Sequence, residues 1–313
     1  MKTRTLILLL LAMASIASAQ QRMAFERGDG VWVAAIDGTG QRKIADGQAP
    51  DISPDGMKLA FNTVQAAGLP SHRQIAIADL ATGKVTIFKD VPSDNSMEPK
   101  WAPDGTKLLF TFYNKAGEMR IGIIKPDGTG FRDIQANQTY HAWWAPAWSA
   151  DSRLIFGEDM ENLVILNQNG AIVRQWVIEK IVPNGDMSGD ERMAQSLDGK
   201  TLLMDSEMNE PARKDWDGPP SAIWTLDMET EKATRLTPKA LYAWDCQWID
   251  PADILFTGQP PGDEDTSIWR MSLTGHGKDR KRLVKNARLA SVSIWPPSAR
   301  PTPLPPSPPP EPR

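Results

Sequence analysis

The sequence predicts an all-β fold, a six-bladed β-propeller of four-stranded blades. Three observations lead to this prediction. A strand–turn–strand pattern recurs along the chain, its copies are evenly spaced, and the two ends of the repeated region supply complementary parts of one blade. Strand-rich repeats with a period of roughly 40 to 50 residues are typical of propellers.

The clearest copy of the repeat is Trp101-Ala102-Pro103-Asp104-Gly105, which reads as a tight turn followed by an apolar strand at residues 108–110. Proline fixes φ at the second turn position, aspartate accepts hydrogen bonds from its own backbone, and glycine accepts a positive φ. The turn aspartates are therefore expected to be structural. The six units begin at Ile52, Trp101, Trp148, Gln195, Trp248 and Trp295, in steps of 49, 47, 47, 53 and 47 residues.

Each unit offers four strands, a to d, in chain order. The a–b connection is the tight turn, and strand c is an apolar run such as residues 121–124 or 223–226. Residues 23–46 offer strands b, c and d without an a, and residues 289–295 offer an a and nothing more. The two terminal pieces together complete one blade, which predicts a ring closed by a shared blade without exposed edges at the joint.

The two termini differ in composition from the repeats. Residues 1–19 resemble a secretory signal, with Lys2 and Arg4 before a short apolar run and Ala17-Ser18-Ala19 as the cleavage site. Residues 296–313 contain ten prolines in eighteen positions, which predicts a disordered, extended tail. The propeller is thus expected to span residues 20–295, in the periplasm or outside the cell.

Charge and cysteine content exclude several classes of protein. The formal net charge is −4 and there is no basic stripe, so nucleic acid is not an expected partner. The single cysteine, Cys246, rules out an internal disulfide and a multi-cysteine zinc site, and we expect it to be a small buried residue. No apolar run is long enough to span a membrane. A closed ring has no edge that demands a second copy, so a monomer is expected.

The repeat resembles that of TolB-type propellers. The resemblance rests on the pattern x-Pro-x-Trp-Ser-Pro-Asp-Gly-x-x-Leu-x-Phe at residues 49–61, 98–110 and 145–156, and it covers residues 23–295. It implies a six-bladed propeller and a protein-binding role at the cell envelope. In TolB a small N-terminal domain precedes the propeller, whereas here the predicted propeller directly follows the signal sequence. A serine peptidase is rejected, because the chain has no Gly-x-Ser-x-Gly motif.

Irregular loops are predicted on one end of the ring, where the b–c and d–a connections lie, and we call this end the loop face. Binding sites usually lie on such loops. Seven candidate binding residues, mostly aromatic, fall in these connections without a counterpart in the other repeats: Tyr140, His141, Trp143, Trp144, Trp216, Tyr242 and Trp244. They suit a protein partner or a sugar ring. The alternative is that they pack beneath the loops.

Catalysis and metal binding have less support in the sequence. The chain has three histidines, His72, His141 and His276, in three different repeats and without ligand spacing. Weak metal candidates are His72, His141, Glu98 and Asp245, and no cofactor and no catalytic residue are predicted. The sequence favours a binding or scaffolding module at the cell envelope. The alternative is a carbohydrate-active or metal-dependent enzyme, a lyase or hydrolase, with its site at the channel mouth.

Overall fold

A computed structural model describes residues 21–64, 72–136, 139, 141–216 and 218–294. The described strands form six sheets in a ring, which confirms the predicted six-bladed propeller. The signal sequence, Trp295 and the proline-rich tail lie outside the described residues, so the predictions made for them stay predictions. Within the described ranges, no helix is long and apolar enough to cross a membrane.

The strands are numbered along the chain, and each blade runs from an inner strand a to an outer strand d. The chain begins with three strands of blade 6, β1 (Arg22–Arg27), β2 (Gly30–Ala35) and β3 (Arg42–Asp46). Blade 1 contains β4 (Gln48–Ile52), β5 (Lys58–Asn62), β6 (Ile75–Asp79) and β7 (Val85–Ile87). Blade 2 contains β8 (Ser96–Trp101), β9 (Leu108–Tyr113), β10 (Met119–Ile124) and β11 (Arg132–Asp133). Blade 3 contains β12 (Trp144–Trp148), β13 (Leu154–Glu158), β14 (Asn162–Asn167) and β15 (Ile172–Val177).

Blade 4 has extra elements before its inner strand, a short helix α1 (Ile178–Ile181) and the two-residue strand β16 (Gly185–Asp186). Its inner strand β17 (Met193–Gln195) and β16 both pair with β18 (Thr201–Met208). The blade continues with β19 (Ser221–Asp227) and β20 (Ala233–Arg235). Blade 5 contains β21 (Tyr242–Trp248), β22 (Asp253–Gln259), β23 (Ser267–Ser272) and β24 (Lys281–Lys285), and β25 (Arg288–Val292) completes blade 6. The sequence did not predict α1 or β16.

The ring closes as predicted, because the last described strand, β25, pairs antiparallel with the first, β1. Arg288 on β25 binds Glu26 on β1 through both Nε and Nη2, at 2.9 and 2.6 Å from Oε1. The Ser293 backbone N–H donates to the Arg22 carbonyl at 2.9 Å. Since Glu26 is only 3% exposed, its charge depends on this partner for compensation.

The tight turns between strands a and b have the predicted chemistry. In four blades the turn aspartate accepts a hydrogen bond from the backbone N–H two residues later, at 2.8 to 3.1 Å. These aspartates are Asp55, Asp104, Asp151 and Asp198. The structural role predicted for them is confirmed, because each side chain oxygen satisfies a backbone donor of its own turn.

The core lies between adjacent blades and repeats with them. A phenylalanine at one position of strand b is at most 1% exposed in five blades: Phe25, Phe61, Phe110, Phe156 and Phe256. The tryptophans on the blade strands differ in burial. Trp101, Trp148, Trp176, Trp224 and Trp269 are buried, whereas Trp32 and Trp248 are half-buried. The Trp248 indole N–H still donates to the Ala194 carbonyl of blade 4, at 2.8 Å.

Inner strands carry a β-bulge at one repeated position. The bulged residue has a positive φ in five blades, between 49° and 55°, and the ladder to the neighbouring strand shifts register there. The bulged residues are Ala49, Glu98, Ala145, Asp245 and Leu289. Proline follows three of them, and its missing N–H is tolerated at a bulge because the ladder is interrupted there.

Candidate functional site

A central cavity of about 410 Å³ opens on the loop face. Its wall is formed by the beginnings of the inner strands, and all five bulged residues line it. The b–c connections contribute Arg73 and Trp216, and the d–a connection before β17 contributes residues 188 and 190–192. The bulges therefore decide which side chains of the inner strands face the cavity.

Arg192 connects the charged groups on this wall. Its backbone N–H donates to Asp205 Oδ1 at 3.0 Å, and its Nε lies 3.6 Å from Asp245 Oδ1. The other oxygen of Asp245 accepts from Thr257 Oγ1 at 2.9 Å and from the Leu289 N–H at 3.1 Å. Side chains of blades 4 and 5 and a backbone N–H of blade 6 are thus held in one buried network.

Burial raises the pKa of several carboxyl groups along the cavity. Desolvation raises the pKa of Glu98 and Asp245, and the nearby Arg192 charge opposes the rise in both. The pKa of Asp205 lies well above its ordinary value because of desolvation and the charges of Asp245 and Glu191. Cys246, also on this wall, is buried as predicted, and desolvation raises the pKa of its thiol, which keeps it protonated.

Three of the predicted aromatic residues come together at the cavity mouth. The Trp216 ring lies 5.2 Å from the Tyr242 ring and 5.7 Å from the Trp244 ring, measured between centroids. Trp216 and Trp244 are half-buried and line the cavity. Tyr242 is 1% exposed, and its hydroxyl accepts from the Arg213 N–H at 2.6 Å. Tyr242 therefore supports the mouth from below, as the packing alternative supposed.

The other predicted binding residues lie elsewhere. The His141 and Trp143 rings are 4.2 Å apart and line a separate, shallow cavity of about 480 Å³ on blade 3, with Asp159 3.1 Å from His141 Nε2. Trp143 is only 5% exposed and packs between blades 2 and 3. Trp144 is half-buried beside Gly189, and Tyr140 lies outside the described residues.

The four weak metal candidates do not converge. Glu98 and Asp245 line the central cavity, whereas His141 contacts Asp159 and His72 Nδ1 lies 3.7 Å from Asp94. Among the residues that the structure describes, no group of three or more His, Cys, Asp or Glu side chains is placed to hold a metal ion. The described side chains thus offer no metal centre.

Sequence reasoning missed two charged residues of blade 4, Arg192 and Asp205. A signal for Arg192 was present. Arg192 lies three residues before the start of its unit, the same position that the bulged residues Ala145 and Asp245 have in theirs. No such signal marks Asp205. Its strand is recognised by the apolar residues beside it, and the sequence does not show that the Asp205 side chain faces the cavity of the closed ring.

Comparison with known proteins identifies relatives of the same fold. No family model matches the chain. A TolB homolog from Chlorobium luteolum (strain DSM 273 / BCRC 81028 / 2530) is 30% identical over 112 residues, which cover 34% of this chain and 24% of that protein. The matched segment therefore spans about a quarter of the curated relative.

Solved structures agree on the architecture. TolB from Acinetobacter baumannii matches with a TM-score of 0.66 and 16% identity, over 88% of this chain and 67% of that chain. A putative TolB from Agrobacterium tumefaciens matches with a TM-score of 0.59 and 15% identity, over 88% and 99%. One chain of a nidogen/laminin complex matches with a TM-score of 0.61 and 11% identity, over 88% and 99%. The chain is a six-bladed β-propeller whose fold is similar to that of TolB.

Proposed function

We propose that this propeller is a binding module at the cell envelope, in the periplasm or outside the cell, that holds a protein partner at the central cavity of its loop face. The observation that carries the proposal is the pairing of Trp216 and Trp244 at the cavity mouth. Half-buried tryptophans beside a polar cavity offer a large apolar contact area, which is typical of interface hot spots.

The sequence similarity to a TolB homolog supports an envelope role, and the signal-like residues 1–19 support export. The site prediction changes from the one made on sequence alone. Trp143 and Trp144 do not line the cavity, so the proposed anchors are Trp216 and Trp244. Trp143 belongs to the packing between blades 2 and 3, and His141 is an exposed residue beside it.

Affinity capture from an envelope extract tests the proposal, with the purified chain as bait. We expect a specific partner to be recovered by the wild type and lost with a Trp216→Ala, Trp244→Ala double variant, because the apolar contacts at the mouth are removed. Loss of one hot-spot tryptophan typically costs about 2 kcal/mol or more of binding free energy.

The matched control is Met57→Ala, since Met57 is 50% exposed and lies at an a–b turn, on the end of the ring opposite the loop face. Circular dichroism should show that all variants keep the fold. Unchanged recovery of the partner by a folded double variant would show that the mouth is not the binding site.

A further inference from the structure

Two buried carboxylates on the cavity wall each have an oxygen without a hydrogen-bond donor. Asp205 is 4% exposed and Asp245 is 3% exposed, and both line the cavity. Asp205 accepts through Oδ1, and its Oδ2 accepts no hydrogen bond from the described residues. Asp245 accepts through Oδ2, and its Oδ1 has only Arg192 Nε at 3.6 Å, beyond ordinary hydrogen-bond length.

Because both side chains line the cavity, these two oxygens are acceptors that a ligand in the cavity can reach. A third carboxylate, Glu98, is half-buried on the same wall, and its side chain accepts no hydrogen bond from the described part of the chain. The wall therefore presents acceptors from blades 2, 4 and 5 that lack donors.

The charges that line the cavity also favour a cationic ligand. Seven carboxylic side chains and four basic ones line it. One basic residue, Arg288, is already bound by Glu26. The remaining lining has an excess of carboxylates, so it favours a ligand that brings positive charge together with hydrogen-bond donors.

We propose that the cavity binds a primary ammonium group through Asp205, Asp245 and Glu98, with Trp216 and Trp244 against the attached chain. An ammonium group is compact and supplies three donors, which suits acceptors on different sides of a narrow space. Aromatic faces at the mouth also attract cations. The group is either a lysine side chain of the protein partner or a small free amine. The inference rests on the proposed function, since it assigns the ligand chemistry of the same site.

Calorimetric titration of the purified chain tests the ligand class. The probes are a short peptide with blocked ends and one lysine, the same peptide with acetyl-lysine, and spermidine. We expect the lysine peptide to bind and the acetyl-lysine peptide to fail. Glu98→Gln and Asp245→Asn should each weaken binding about tenfold or more, because each removes a charged acceptor of nearly the same shape. The control is Glu264→Gln, whose exposed side chain lies outside the cavity.

The outcomes separate the sources and the two proposals. Tighter binding of the lysine peptide than of spermidine supports a partner lysine, and the reverse supports a small amine of the same chemistry. Equal binding of the lysine and acetyl-lysine peptides, or no binding of any probe, overturns the inference. If partner capture still depends on Trp216 and Trp244 in that case, the ammonium site alone is wrong. If the Trp216→Ala, Trp244→Ala double variant also captures the partner as the wild type does, the proposed function is wrong as well.

Discussion

Asp51 shows how one buried side chain joins two blades. It lies on the inner strand of blade 1, and its Oδ2 accepts from the Trp101 N–H of blade 2 at 2.6 Å. Desolvation raises the pKa of Asp51 from 3.8 to about 7, against the hydrogen bond from Trp101 and the charge of Arg192. Glu158, which is 0% exposed, also has a pKa raised to about 7, chiefly by desolvation.

These raised pKa values predict that the protein loses stability as the pH rises from about 4 to 7. In that range the folded protein keeps a proton on Asp51 that the unfolded chain releases, so raising the pH favours unfolding. Each such group contributes about 1.4 kcal/mol per pH unit. Asp51→Asn keeps an acceptor for the Trp101 N–H and cannot ionise, so it should flatten the pH dependence of the melting temperature.

The comparison for this measurement is Asp55→Asn in the same blade, where the side chain is exposed and belongs to the a–b turn. Its melting temperature should follow the wild-type slope. Identical slopes for Asp51→Asn and the wild type would mean that Asp51 ionises in the folded protein as it does in the unfolded chain.

Residue roles were predictable from the sequence where they are local. The turn aspartates act within three or four residues, so the turn pattern was sufficient to assign them. The cavity residues act across blades. Asp205 and Arg192 lie 40 and 53 residues before Asp245 and approach it only in the folded ring, so no local sequence pattern indicates that they are close. Trp143 was predicted as a binding residue because a loop position does not reveal burial.

At the scale of elements, the bulge in strand a is the feature that shapes the site. A left-handed backbone costs a non-glycine residue about 1 kcal/mol or more. Five blades nevertheless have this conformation, and the bulge turns residues such as Glu98 and Asp245 toward the cavity. The strands themselves were predictable, because apolar repeats and turn residues recur with the blades. The helix α1 was not, since one short turn of helix has no periodic signal.

A matched pair of glycine substitutions in β12 tests the strain at the bulge. Ala145 has φ of 50° and Ala147 does not belong to the positive-φ set, and both are buried. Ala145→Gly should change the free energy of unfolding by less than about 0.5 kcal/mol, because relief of strain offsets the added freedom of the unfolded chain. Ala147→Gly should destabilise by about 1 kcal/mol. Equal losses in urea denaturation would show that the bulge is not strained.

At the scale of the whole molecule, stability depends on the joint in blade 6. Arg288 is half-exposed, whereas Glu26 is buried and also accepts from the Ala49 N–H of blade 1 at 3.0 Å. The pair thus links the last strand, the first strand and the next blade. The sequence predicted this closure from which strands each terminal segment supplies, though not the ion pair that secures it.

Arg288→Ala should destabilise the ring by about 2 kcal/mol, because it leaves a buried carboxylate without its cation; the loss is smaller than for a fully buried pair since the arginine is half-exposed. Adding Glu26→Gln to Arg288→Ala should recover part of that loss. The control is Lys285→Ala, an exposed residue on β24. If urea denaturation gives the same midpoint for Arg288→Ala and Lys285→Ala, the pair does not secure the joint.

The geometry of this joint also determines how the ring responds to mechanical load. Because β1 and β25 are antiparallel and Met23 faces Val292, the chain enters β1 and leaves β25 at the same end of the sheet. A force that pulls residues 21 and 294 apart would load the hydrogen bonds of this strand pair one after another, as in a zipper, and not all together. Tension between the two ends would therefore separate β25 from β1 and open the ring at low force. The other five blades, which the force reaches only through their neighbours, would stay folded.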